Sequence, residues 1–421
     1  MGSLVQSQKT GRAPRLVADL ARQKQMAACL EWYSKERAWI NEQHLRVCRI
    51  AAPTFREQER AEWMVEQFRA LDWDAKLDRA GNVVATRGGK RDMPLIAVTA
   101  HLDTVLSPRS AEDIRLGSEG RFVGPGVSDN GAGLAALLAI AASWQATEPA
   151  DEAQAGLLIV ANVGEEGEGN LSGMRYLCRQ SALAARVRAF LVLDGPATDH
   201  ITYRALASRR YDITITGRGG HSWSDFGIGN PVHALSRAIT LFTDLRMDLG
   251  NGPRSSFNFG IFEGGSSVNS IPGQARSKVD LRSEDASELE RMTTMLAECL
   301  EQAIEAENRY ATGGRVSARM KEIGSRPGGA IAGDAPILEY LRAVDAHQGI
   351  RAQLDCASTD ANIPLSMGMQ AVSIGAGGQG GGAHTPGEWF HPDGREAGLR
   401  RIALALALLL RDPDGAGLAA A

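Results

Sequence analysis

Three short stretches of the chain are almost wholly apolar: Leu95–Ala100, opened by Pro94, then Leu157–Val163, then Phe190–Leu193. Runs this short without polar alternation predict strands buried on both faces, the texture of a sheet covered by helices. Around them the period lengthens. From Arg15 to about Ile50 the apolar positions Leu16, Leu20, Met26, Leu30, Trp39, Ile40 and Leu45 recur at helical spacing, with room for a break between Ser34 and Asn41. Pro53-Thr54 reads as the start of a further helix, capped by Thr54, with Glu57 three residues on completing a capping box. Gly81-Asn82 is a hairpin signal between strands at Ala75–Leu77 and Val83–Thr86. The Ala/Leu-rich segment running to about Trp144 predicts a buried helix, and the polar residues 1–13 predict a frayed start.

Near Leu206 the pattern changes. Tyr211–Gly217 alternates with period two, and a helix over Pro231–Leu245 follows. Strands at Ser256–Gly264 and Ala275–Arg282, an amphipathic helix at Ser287–Glu307 and a strand at Arg315–Ile323 complete a β-α-β-β-α-β order, that of a ferredoxin-like unit. Residues 207–326 therefore read as an inserted α+β domain. The buried-strand texture then resumes, with a helix over Pro336–Gln348, a strand at Ala371–Ile374 and a closing helix over Glu396–Leu410. The fold class predicted is α/β. Residues 1–206 and 327–421 form one discontinuous domain, with a mostly parallel sheet covered by helices on both faces.

Length agrees, since 421 residues exceed one typical core. A net charge of -4 argues against nucleic acid or an anionic membrane as partner. No apolar run reaches membrane-spanning length; Ile402–Leu410 is the most apolar and too short. The five cysteines are scattered, odd in number and without a Cys-x-x-Cys pair. That pattern suits reduced thiols in a cytoplasm and argues against a thiolate metal site. The start carries no secretory pattern, and Gln6 stands where a myristoylation motif needs Ser or Thr.

The chemistry gathers where the apolar strands end. The first run closes on His101-Leu102-Asp103, the second on Gly164-Glu165-Glu166-Gly167, the third on Asp194. In open α/β sheets, ligands bind beyond the carboxyl ends of the strands. Each ending alone also reads as a solvated cap, the Glu165-Glu166 turn more readily so than a ligand pair, but chance strand-end polarity accounts for one such ending, not three. Asp129 lies in the glycine-hemmed turn Gly126-Val127-Ser128-Asp129-Asn130-Gly131, before the Ala/Leu-rich helix. Its glycine spacing matches neither Gly-x-Gly-x-x-Gly nor a Walker loop. Late in the chain, His384 follows a glycine-rich loop. His101, Asp129, Glu166, Asp194 and His384 are thus candidate ligands, and imidazole with carboxylate suits a catalytic zinc, manganese or cobalt ion. Five donors exceed what one catalytic ion with an open position takes, and suit two ions sharing one carboxylate. Of the adjacent Glu165 and Glu166, one can bind metal while the other faces a water. His44, His200, His233, His347 and His391 read as structural or surface residues.

His101-Leu-Asp103-Thr, Gly126-Val-Ser-Asp129-Asn-Gly-Ala-Gly, Gly164-Glu165-Glu166-Gly, Leu193-Asp194-Gly, Gly219-Gly-His221-Ser and His384-x-x-x-Glu388, in this order, resemble the motifs of the M20 family of dinuclear zinc metallopeptidases and aminoacylases. Carboxypeptidase G2, tripeptidase T, acetylornithine deacetylase and succinyl-diaminopimelate desuccinylase are members. The resemblance implies a hydrolase of an amide bond in a small peptide or N-acyl amino acid, with two zinc ions (cobalt or manganese as alternatives). It makes Asp129 the bridging ligand, with His101 and Asp194 on one ion and Glu166 and His384 on the other. It gives Asp103 the task of holding the His101 imidazole in its ligating tautomer. Glu165 becomes the general base toward a bridging water. His221, on a lid and dimerisation domain, becomes a hydrogen-bond donor to the oxyanion, reaching the partner's site in dimeric members. Asn269 and Arg326 become substrate contacts, Arg326 as a carboxylate clamp; a plain domain-boundary arginine is the alternative. The resemblance also implies a cis peptide at Asp129–Asn130. Specificity stays open between peptidase and deacylase. The reading from another class is an inactive binding protein of the same fold, which would lack ligands that this sequence retains.

Overall fold

The computed structural model describes residues 12–87, 92–148, 153–245 and 253–419. The chain divides into two compact units, one running to Arg204 and resuming at Ala330, the other formed by Ala205–Gly329. Most of the stretch read as frayed lies outside the described residues, but Arg12 and Ala13 already belong to a helix.

Three helices open the first unit: Arg12–Arg22 (α1), Lys24–Lys35 (α2) and Arg37–Cys48 (α3). The long helical pattern is thus broken twice, at Glu36 as foreseen and also at Gln23, whose extended backbone redirects the chain. The next helix, Gln58–Ala70 (α4), starts three residues later than the Thr54 cap signal predicts, with Glu57 at the cap position. Phe55 takes a φ of 73°, which no helix allows. The Glu57 carboxylate accepts from the Phe55 N–H at 3.0 Å, and the Thr54 hydroxyl is spent on Asp103 rather than on a cap. Asp74–Leu77 (β1) and Val83–Thr86 (β2) form the foreseen hairpin. Leu95–His101 (β3) is buried at all seven positions. After the short strands Arg115–Leu116 (β4) and Phe122–Val123 (β5) comes Gly131–Thr147 (α5), buried throughout from Gly131 to Trp144 because its residues are small or apolar on every face. Gly156–Asn162 (β6), Ser172–Arg179 (α6), Val187–Leu193 (β7) and His200–Ala205 (β8) complete this half.

The second unit comprises Ala207–Thr216 (β9), Gly220–His221 (β10), Pro231–Asp244 (α7), Ser255–Gly264 (β11), Ser270–Ile271 (β12), Gln274–Ser283 (β13), Ala286–Tyr310 (α8) and Ser317–Arg326 (β14). Its four long strands lie in the order β11-β13-β9-β14, all antiparallel, which is the ferredoxin-like arrangement. Alternate residues of β13 (Ala275, Val279, Leu281) turn inward and share one core with Leu235, Phe242, Met292 and Leu296 of the two helices. The Asp285 side chain caps α8 by accepting from the Ser287 and Glu288 N–H groups. β10 and β12 form a separate two-stranded ladder.

On return, the first unit adds Gly329–Ala330 (β15), Pro336–Gln348 (α9), Gln353–Ala357 (β16), Asn362–Ser366 (α10), Gln370–Ile374 (β17), Gln379–Gly381 (β18), Trp389–His391 (β19) and Arg395–Arg411 (α11). Its main sheet runs β1-β2-β6-β3-β7-β17-β8-β15, with β16 also on β8. The four central strands β6-β3-β7-β17 are parallel, as expected, while β1, β2 and β8 pair antiparallel at the flanks, so the sheet is mixed with a parallel centre. In the β1-β2 hairpin the antiparallel pairing follows from the short turn that joins the strands. Since β3 lies between the later strands β6 and β7, the carboxyl tips of all three stand side by side, where the chain direction across the sheet switches. A small second sheet, β18-β19-β5-β4, ties residues 379–391 to residues 115–123. All five cysteines are free thiols, and among the described residues no helix is long and apolar enough to cross a membrane.

Candidate metal centre

His101 is the last residue of β3. Its Nδ1–H donates to the Asp103 backbone carbonyl at 2.9 Å, which turns Nε2 toward the other candidate ligands. The Asp103 carboxylate, wholly buried, stands 3.6 Å from the same nitrogen. Its nearer bonds are elsewhere: the Glu165 N–H, the Glu166 N–H and the Thr54 hydroxyl, each at 2.9 Å. The sequence reading assigned the imidazole tautomer to this side chain. The backbone carbonyl is the nearer acceptor to Nδ1, and the carboxylate also fastens the turn after β6 to the end of β3. Arg60, buried in α4, steadies the same strand end by donating to the Leu102 carbonyl at 2.7 Å.

Asp129 enters from the turn before α5, and the Asp129–Asn130 peptide is cis. The Asn130 side chain accepts from the Gly133 N–H at 3.0 Å and donates to the Leu193 carbonyl at 2.8 Å, joining the helix start to the tip of β7. Asp129 Oδ1 lies 3.0 Å from His101 Nε2, and Oδ2 lies 3.1 Å from His384 Nε2. His384 Nε2 is also 2.9 Å from Glu166 Oε1, and Asp194 Oδ1 is 3.9 Å from His101 Nε2. Two ligand groups result, His101/Asp129/Asp194 and Asp129/Glu166/His384, each with its donor atoms within 4.8 Å of one another. A third combination, His101/Glu165/Glu166, meets the same limit and shows Glu165 at the edge of the same cluster.

The electrostatics are those of crowded acids. Burial and then the neighbouring Asp129 push the Asp194 carboxyl well above the usual range. Burial and Glu165 push Glu166 up to about 7. Burial opposes charge on Asp129 as well, but bonds from His101 and His384 outweigh it and hold that carboxyl well below the usual range. His384, bonded to Asp129, is raised to about 9. Acids whose charge is opposed by burial and by one another form a site that divalent cations would relieve. The donor set, two imidazoles and three carboxylates with no thiolate, fits such ions.

Two residues around the cluster escaped the sequence reading. Glu388 closes the His384-x-x-x-Glu388 motif, and its carboxylate accepts from the N–H groups of Gly126 at 2.7 Å, Ser128 at 2.7 Å and Asp129 at 2.8 Å. Asp360 is buried, accepts from Asn162 Nδ2 at 2.6 Å, and is pushed up to about 7 by burial and by Glu165.

The remaining three candidates lie in the second unit. His221 ends β10 opposite Ser270, and its Nδ1 accepts from the Trp223 and Ser224 N–H groups at 3.2 and 3.4 Å. That fixes Nε2–H as its donor. Asn269 is a close neighbour, its carbonyl bonded by the Ser222 N–H at 3.0 Å. Arg326 is not with them: it ends β14, buried, opposite Ser208 at the far end of β9. The strand extends three residues beyond the predicted Ile323, so Arg326 belongs to a sheet rather than to a linker.

The sequence profile of peptidase family M20/M25/M40 matches residues 97–411. Acetylornithine deacetylase of Myxococcus xanthus is 27% identical over 333 residues, 76% of this chain and 81% of that relative. A tripeptidase from Staphylococcus aureus superposes with a TM-score of 0.72 at 21% identity, over 89% of this chain and 98% of its own. A dinuclear metal binding peptidase of Bacillus subtilis superposes with a TM-score of 0.65 at 14% identity, over 90% and 99% of the two chains. These structural likenesses establish the fold.

Proposed function

The chain belongs to peptidase family M20/M25/M40 and is a hydrolase of amide bonds, and from that premise we propose that it cleaves a small peptide or an N-acyl amino acid with two bound divalent cations, zinc first among them. The observation that carries the reading is Asp129, whose two oxygens face two different imidazoles, each with its own further carboxylate. His101 and Asp194 would hold one ion, Glu166 and His384 the other, with Asp129 between. When bound, such a pair polarises the amide carbonyl and lowers the proton affinity of a water.

This chain's own groups do the rest. The Glu165 carboxylate takes the proton of the attacking water and returns it to the leaving amine nitrogen. Asp103 grips the Glu165 and Glu166 N–H groups, so base and ligand move as one piece. His221 offers its Nε2–H to the carbonyl oxygen as charge develops there. Asn269 and Arg326 are proposed substrate contacts, with Arg326 reading a carboxylate.

A homodimer through the inserted unit is part of the same proposal. Ser208 and Thr216 are eight residues apart on an extended strand, roughly 26 Å. Arg326 stands at the Ser208 end, while His221 and Asn269 lie beyond Thr216. One small substrate cannot span that length, so contact with all three needs two copies of the chain. Trp223 and Phe226, each 86% exposed beside His221, supply the apolar surface that such an interface covers.

The test is metal quantification on the purified protein, coupled to a panel of di- and tripeptides beside N-acetyl and N-succinyl amino acids. Two ions per chain and metal-dependent hydrolysis of one class are expected. The deacetylase relative makes the N-acyl arm the first to run. A chain with no metal affinity and no hydrolysis would overturn the proposal.

A further inference from the structure

We propose that Glu388 is the positioning residue that sets the distance between the bridging Asp129 and the terminal ligand His384, so that the ion on Glu166 and His384 depends on it selectively. The inference rests on the two-ion reading above.

His384 is the least supported of the candidate ligands. Its side chain is 51% exposed, and its backbone φ of 64° lies in the left-handed region that non-glycine residues seldom adopt. Packing alone does not place it. Asp129 comes from a chain segment 255 residues earlier. What joins the two segments is the small sheet in which β19 pairs with β5, Trp389 opposite Val123. Glu388 immediately precedes that ladder and extends it. Its carbonyl accepts from the Gly124 N–H at 3.0 Å, and its carboxylate takes the three N–H groups of Gly126, Ser128 and Asp129. It is buried, and one anion accepts three backbone donors from the turn that presents Asp129.

The opposite side of Asp129 is tied by other means. His44 Nδ1 accepts from Arg395, so its Nε2–H donates to the Val127 carbonyl at 2.7 Å. Asn130 joins the turn to the Leu193 carbonyl, next to Asp194. The contacts of Asp129 toward His101 and Asp194 therefore keep their supports when Glu388 is altered, whereas the span to His384 loses its main one. The residue type is demanding. Only a carboxylate is acceptor at both oxygens; glutamine turns an N–H₂ group against a backbone N–H, and aspartate is one methylene short.

The experiment uses the full chain as Glu388→Gln, stripped with chelator and titrated with cobalt(II), with stoichiometry and both stepwise affinities read by calorimetry and by the Co(II) absorption and EPR spectra. One ion should bind as in the wild type. The second should bind ten- to a hundredfold more weakly, the usual cost of losing a partner that supports a ligand, with loss of the spin-coupled signal at one equivalent excess. The thermal midpoint of the metal-free protein is recorded alongside. A variant that melts earlier but binds both ions with wild-type affinities would reduce Glu388 to a structural residue and overturn the inference. So would equal weakening of both ions. Should the glutamine variant not fold, Glu388→Asp carries the same measurement, with the same selective loss at smaller size. Failure of the wild type to bind two ions sinks the functional reading instead, so the two failures are distinct.

Discussion

Asp103→Asn tests the geometry most sharply, because the change is nearly isosteric and the two roles open to Asp103 predict different losses. In the structure three donors converge on two carboxylate oxygens: the Glu165 N–H, the Glu166 N–H and the Thr54 hydroxyl. Asparagine keeps one oxygen. The N–H₂ group that replaces the other meets a backbone N–H, leaving a buried donor unpaired at about 1–3 kcal/mol. The surviving bonds lose their charge assistance, about 1 kcal/mol more. A sum of about 2–4 kcal/mol falls on the turn that carries Glu165 and Glu166, not on the His101 imidazole, which keeps its bond to the Asp103 carbonyl. At the lower end this is about a thirtyfold loss of affinity, since 1.4 kcal/mol is tenfold. The expected result in a two-site zinc titration of the chelator-stripped variant is a weakened Glu166/His384 ion and a His101/Asp194 ion within a few-fold of wild type. Turnover should fall as well, because Glu165 shares the displaced turn. Loss of the His101/Asp194 ion first, with the other intact, would refute this argument and restore the side chain as the keeper of the imidazole.

Further outcomes follow from the same site. Glu165→Gln should keep both metals while turnover falls about a thousandfold, by steady-state assay beside metal analysis; near-normal rates would remove Glu165 as base. His221→Ala should lower kcat on the order of a hundredfold with metal content unchanged, and metal loss in that variant would mean the residue belongs to the centre itself. The metal-free chain should lose stability as pH rises from 5 to 9. Glu166 and Asp194 are raised above their ordinary range and His384 is raised to about 9, so the stability linked to each is complete below its unfolded pKa and is lost as pH climbs through the folded one. Asp129 and Asp103 are lowered, and their contribution, complete above about pH 4, is constant over this window. Thermal midpoints in chelator should therefore fall across the range; a flat or rising profile would contradict the electrostatics described.

Much of this protein was legible in one dimension. β3, β6 and β7 declare themselves because burial on both faces leaves almost no polar positions, and the residues that close them in the sequence are His101, Glu165, Glu166 and Asp194. The alternation of β9 and β13 marked the inserted unit just as plainly. Local patterns have local causes: a period follows from whether backbone is extended or helical, and a glycine-hemmed turn from its own dihedrals. What lay beyond the sequence was every arrangement that depends on packing between distant segments. Phe55 overrode the helix signal at Thr54, and the freed hydroxyl went to Asp103, 49 residues on. The shortest contact of His101 Nδ1 is to a backbone carbonyl, an atom every residue carries and no motif can mark. The grip of Glu388 on the Asp129 turn joins residues some 260 apart, and the separation of Arg326 from His221 follows from strand register. A donor list is a property of composition and order, whereas the distances that gather five donors into one cluster are set by tertiary packing.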